Sequence, residues 1–75
     1  MSIFNLSPGQ KGIITAIHGN SKLTKRLSAL GCIEGTSIEF KRKAPLGDPV
    51  IVNFRGFDLA IRKKDAECIM LETIG

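Results

Sequence analysis

The seven residues Lys43-Ala44-Pro45-Leu46-Gly47-Asp48-Pro49 constrain this chain more than any other stretch. On their left Ser37-Ile38-Glu39-Phe40-Lys41-Arg42-Lys43 alternates polar and apolar residues. On their right Val50-Ile51-Val52-Asn53-Phe54-Arg55 does the same. Two alternating runs about a turn cluster specify a β-hairpin. Pro45 and Pro49 fix φ, Gly47 can take a positive φ, and Asp48 can bond back to its own backbone. The loop is therefore stiff, and stiff exposed loops often carry recognition. The alternation places Ile38, Phe40, Val50, Val52 and Phe54 inward. It places Lys41, Lys43, Ile51, Asn53 and Arg55 outward.

Five further elements are legible around this hairpin. Lys11 to His18 is β-branched and reads as a strand, stopped by Gly19-Asn20-Ser21. Asn20 or Ser21 is the expected N-cap of a helix over Lys22–Leu30. Leu23, Leu27 and Leu30 fall at i, i+4 and i+7, a single apolar stripe that must dock as core because three turns are not stable alone. Gly31 stands where a glycine ends a helix. Past a tight turn at Gly56, Phe57, Leu59 and Ile61 alternate with Asp58, Ala60 and Arg62 as a half-buried strand. Lys63 to Glu67 is a charged corner of one helical turn, and Cys68 to Ile74 is the closing strand.

Five short strands within 75 residues cannot cover two faces as an open sheet. Curling into a small barrel hides the edges and encloses one interior. The expected fold is thus mainly β: a small SH3-like five-stranded barrel with one inserted short helix, a single domain over residues 1–75. A chain of this size buries only about 60% of its unfolded surface. It has two cysteines, Cys32 and Cys68, which form no disulfide framework and no CxxC zinc pattern; they are expected as reduced, buried thiols. No apolar run reaches signal-peptide or membrane-span length, so a cytoplasmic protein without membrane insertion is expected.

The net charge of +4 allows nucleic acid, an acidic protein face or a membrane surface as partner, with the solvated surface of a small soluble protein as the plainest reading. Catalysis has little to work with. His18 is the single histidine, and no triad, phosphate loop or dinucleotide fingerprint occurs. The chain is expected not to be an enzyme. His18, Cys32 and Cys68 lie in different elements without the local spacing of a structural metal site, so no metal and no cofactor are expected. Nucleic-acid binding needs exposed aromatics on a basic track. There is no Tyr or Trp, and Phe40, Phe54 and Phe57 fall on the core side of their alternations. A protein-binding module is the remaining class, with a small-barrel nucleic-acid module as the alternative.

Three segments carry a family resemblance. Leu27-Ser28-Ala29-Leu30-Gly31-Cys32-Ile33-Glu34-Gly35, Ala44-Pro45-Leu46-Gly47-Asp48-Pro49 and Leu59-Ala60-Ile61-Arg62-Lys63-Lys64-Asp65-Ala66 resemble the ferrous iron transport protein A family, FeoA, in register from Leu6 to Ile74. The resemblance implies an SH3-like barrel and a small cytoplasmic accessory protein of bacterial ferrous iron uptake. It implies as partner the membrane ferrous iron permease that carries a GTPase domain, FeoB, with weak self-association also open. The same fold in iron-dependent repressors makes a regulatory module the related alternative. The family brings no catalytic residues. The expected contact surface is Leu46 and Asp48 at the loop tip with Lys43, Ile51 and Arg55 beside it.

Overall fold

The hairpin forms where the alternation places it. In the computed structural model, which describes every residue except Asn20 and Gly75 and only the backbone of Ser21, β2 spans Ser37–Lys43 and β3 spans Val50–Phe54. Around them lie β1 (Lys11–Ile17), β4 (Phe57–Ile61) and β5 (Ile69–Thr73). Helix α1 runs Ser21–Ala29 between β1 and β2, and α2 is one turn, Lys63–Ala66, between β4 and β5. Of the two expected caps of α1, Asn20 lies outside the described residues and Ser21 opens the helix.

The five strands form one antiparallel sheet in the order β4-β3-β2-β1-β5. β1 pairs with the first half of β2 and β3 with its second half, and only Glu39 faces both, opposite Lys11 and Asn53. The sheet therefore turns about the middle of β2 and wraps its inner side chains into one core. Ile14, Ile38, Phe40, Val50, Val52, Phe54, Ile61, Ile69 and Leu71 meet there. Each such side chain withdrawn from water contributes about 1.5–3 kcal/mol. Leu23 and Leu27 of α1, with Ile3 and Leu6 of the N-terminal segment, complete the same cluster.

Closure is by packing rather than by a β4–β5 ladder. β5 pairs only with β1 and β4 only with β3 within the sheet. α2 links β4 to β5, and residues Met1 and Ser2 run along the far edge of β5. The Leu71 amide donates to the Met1 carbonyl at 2.8 Å, and Ser2 bridges Met70. A 3-10 turn at Ile3–Asn5 follows, held by the Asn5 side chain, whose Oδ1 accepts from the Ser2 amide at 2.9 Å. The lead-in before Lys11 is thus built structure, which its turn-rich composition does not announce.

Two expected core residues are not in the core. Leu30 is 39% exposed, because the helix ends at Ala29 and the chain leaves it through Gly31 at φ 85°. The Cys32 amide then donates to Leu27 O at 2.8 Å and the Gly31 amide to Ser28 O at 3.0 Å. This is the Schellman arrangement, and it swings the third leucine off the stripe. Phe57 is 42% exposed. It occupies the correct face but stands on the last rung, opposite Phe54, where the core ends. Its ring still packs on Phe54 with centroids 4.6 Å apart.

Candidate functional site

The five residues expected to form one contact surface do not come together. Leu46 is at the loop tip and 96% exposed. Arg55 is in the turn at the other end of β3, roughly 17 Å of extended strand away. That turn has two left-handed residues, Arg55 at φ 53° and Gly56 at φ 87°, the geometry that matches the twist of a two-residue hairpin. Arg55 is thus a turn residue, not an outward strand residue.

Asp48 is engaged within the fold. Its Oδ1 accepts from the Lys63 amide at 2.9 Å and its Oδ2 faces Arg62 Nη2 at 3.3 Å. It serves the first free amide of α2 as a capping residue does, from another part of the chain. Ile51 is half-buried, opposite Arg42 and Ala60. Lys43 lies on the face opposite to the one its alternation assigns. The pairing of β2 with β3 slips between Phe40 and Arg42, so Lys43 stands opposite the buried Val50. One extra residue reverses the alternation beyond it. The Lys43 ammonium therefore lies 4.3 Å from the ring centroid of Phe4.

At the Arg55 end the surface is concave. A hollow of about 480 Å³ is lined by Ile33, Glu34, Gly35, Thr36, Ser37 and Arg55. A second, of about 280 Å³, is lined by Ile17, Thr24, Ser28 and the same Ile33 and Glu34. Ile33 and Glu34 are the wall common to both. They stand in a turn closed by the Thr36 amide on Ile33 O at 3.0 Å, and Thr36 Oγ1 accepts from the Ile33 amide and donates to Gly31 O, both at 3.2 Å. The Gly35 amide bonds Ile14 O at 2.8 Å, which fastens the turn to β1. Ile33 is 47% exposed, an apolar side chain on a fixed backbone. On the other side of Gly31, the Arg55 guanidinium lies so close that a β-carbon there would be 3.4 Å from Cζ.

An apolar wall with one acid and one base in a concave surface is suited to binding a protein side chain rather than to bond-making. Ile33 and Glu34 were not foreseen as a site. The one signal in the sequence is an isoleucine midway between two turn glycines, Gly31 and Gly35, outside any alternating run. Of the residues weighed as metal ligands, Cys32 is buried, whereas the half-buried Cys68, its thiol on Lys64 O at 3.4 Å, and the exposed His18 are neighbours, the His18 amide donating to Cys68 O at 2.8 Å; among the described residues no three His, Cys, Asp or Glu side chains gather as a metal site. Both cysteines are free thiols.

Comparison with known proteins assigns the fold and the family. The chain is 30% identical over 74 residues to the Fe(2+) transport protein A/Fe(2+) transporter FeoB fusion protein of Porphyromonas gingivalis. That match takes in 99% of this chain and spans 9% of the fusion protein's length. The solution structure of the FeoA protein of Chlorobium tepidum superposes with a TM-score of 0.95 at 32% identity, over 100% of this chain and 71% of that one. The zinc-complexed FeoA of Stenotrophomonas maltophilia, a procaryotic SH3 domain protein, superposes with a TM-score of 0.81 at 22% identity, over 96% and 89%. The partly open five-stranded barrel is accordingly an SH3-like domain. The FeoA domain model matches residues 1–73, so this chain belongs to the FeoA domain family.

Proposed function

We propose that this chain is a cytoplasmic accessory domain of bacterial ferrous iron uptake that acts by docking on the FeoB-type permease with its GTPase domain. The observation that carries the reading is the Porphyromonas gingivalis fusion, in which a segment 30% identical to this chain shares one polypeptide with an FeoB transporter. Fusion holds two modules at high effective concentration, which is of use where they act together. The double hollow around Ile33, Glu34 and Arg55 is the face we assign to the contact. It offers exposed apolar surface on a rigid turn, flanked by an acid and a base that set orientation. Leu46 and Lys43, at the other end of β3, lie outside that face.

The domain works as a binding module, not as a catalyst. Docking changes the permease only by binding one of its states more tightly than the other. The test is an NMR titration of the labelled domain with the cognate GTPase domain in its GDP and GTP-analogue states. Shifts gathered on Ile33, Glu34 and Arg55, lost in Ile33→Asp, support the reading. The absence of shifts in every nucleotide state would remove direct docking on that domain. A dilution series of the domain alone separates these shifts from weak self-association.

A further inference from the structure

We propose that the Leu46 end of the barrel is a peripheral docking surface for an anionic lipid membrane. Leu46 is 96% exposed, more than any other large apolar residue described. It projects from a loop that is held rather than mobile. The Gly47 amide donates to Ala44 O at 2.7 Å, the Ala44 amide to Pro49 O at 2.9 Å, and Asp48 ties the loop to the Lys63 amide at 2.9 Å. An aliphatic side chain fixed at a convex tip has no stabilising role inside this fold.

The surroundings of the tip are basic. Lys41, Arg42 and Lys43 end β2 just before the loop, and Arg62, Lys63 and Lys64 are carried beside it by the Asp48 contacts. Against these six bases stand four acids, Glu39, Asp48, Asp65 and the α2 C-cap Glu67, so this end is net basic. Three of the acids are already engaged: Glu39 with Lys41 at 3.7 Å, Asp48 with Arg62 at 3.3 Å, and Asp65 with Arg26 of α1 at 3.3 Å. Lys43 and Lys63 both rest on the Phe4 ring, at 4.3 and 5.0 Å from its centroid. A ring contact orients an ammonium without cancelling its charge, so two positive charges are posted beside the apolar tip.

A convex apolar tip with basic residues around it fits a broad, soft, negative surface, which is what an anionic leaflet is. It fits nucleic acid less well. Leu46 cannot stack on a base, and the aromatic ring at this end, Phe4, is half-buried with two lysines over it. Contact would be peripheral, since no helix among the described residues is long and apolar enough to cross a membrane. The inference stands apart from the docking groove at the Arg55 end and does not depend on it.

Vesicle co-sedimentation of the whole chain tests it. The probes are phosphatidylcholine vesicles with and without one quarter phosphatidylglycerol, at about 50 mM and about 300 mM salt. Binding to the anionic vesicles alone, weakened by salt, is expected. Leu46→Ser is expected to reduce partitioning several-fold. Arg42→Gln with Lys63→Gln is expected to reduce it roughly 25-fold, each basic residue at an anionic surface being worth about five-fold. Both variants are exposed positions, and amide spectra verify their fold; should the double variant unfold, Leu46→Ser alone decides. No binding at low salt, equal binding to neutral vesicles, or binding unmoved by Leu46→Ser would overturn the proposal. So would retention of a single-stranded oligonucleotide in place of vesicles.

Discussion

The Asp48 carboxylate accepts from the Lys63 amide at 2.9 Å across fifteen residues of chain, so the hairpin loop and the corner between β4 and β5 form one unit. The contact to Arg62 adds little, because both side chains are substantially exposed and such pairs are worth under about 1 kcal/mol. The capping bond is the larger part. Asp48→Ala should therefore cost about 1–2 kcal/mol in urea unfolding. Asp48→Asn, which keeps the acceptor oxygen, should recover most of it. Equal losses in the two variants would show that the charge, not the acceptor, holds the loop.

Gly31 meets two demands at once. Its φ of 85° disfavours any side chain, and a β-carbon would lie 3.4 Å from the Arg55 guanidinium carbon. Gly31→Ala should cost about 1–2 kcal/mol for the left-handed backbone alone. Adding Arg55→Ala should recover only what the close approach costs, a few tenths of a kcal/mol. The double-mutant cycle separates the two demands, and full recovery would mean that the backbone carries no strain there.

Pattern read from the chain reached the strands, both helical elements, the Gly31 stop and the family, because each rests on local rules. It did not reach the grouping of Lys43, Leu46, Asp48, Ile51 and Arg55. Alternation alone cannot register the slip at Lys41, which depends on how β2 pairs with β3. Nor does it reveal that Arg55 takes a left-handed turn conformation, since only the two-residue span between Phe54 and Phe57 requires it. Alternation does not single out Ile33 and Glu34 for a related reason: a turn residue becomes the wall of a hollow only when the hydrogen bonds of Thr36 and Gly35 fix its direction.

The leucine stripe of α1 offers a direct check on where the core stops. Leu27 is 1% exposed and Leu30 is 39% exposed. Leu27→Ala should cost about 2–5 kcal/mol through lost burial and the cavity it leaves. Leu30→Ala should stay within about 0.5 kcal/mol of the parent. Comparable losses would mean that Leu30 packs inward in solution and that the helix runs one residue further.

Cys32 gives a pH dependence whose sign is set by burial. Its thiol is fully enclosed, and burial pushes it above the ordinary value of 9.0. Below that value both folded and unfolded chains keep the proton, so its contribution to stability is fully present. As pH rises past 9.0 the unfolded chain releases the proton first. The unfolded state then binds fewer protons, and stability falls by up to about 1.4 kcal/mol per pH unit until the folded thiol ionises as well. The comparison is with Cys32→Ala. Replacement lowers stability by a constant packing loss at neutral pH but should make its decline above pH 9.0 shallower. Parallel curves for the two proteins would show that the thiol is not shielded. Alkylation at neutral pH gives the companion result: the half-buried Cys68 should react first, and Cys32 only at the rate at which the barrel opens.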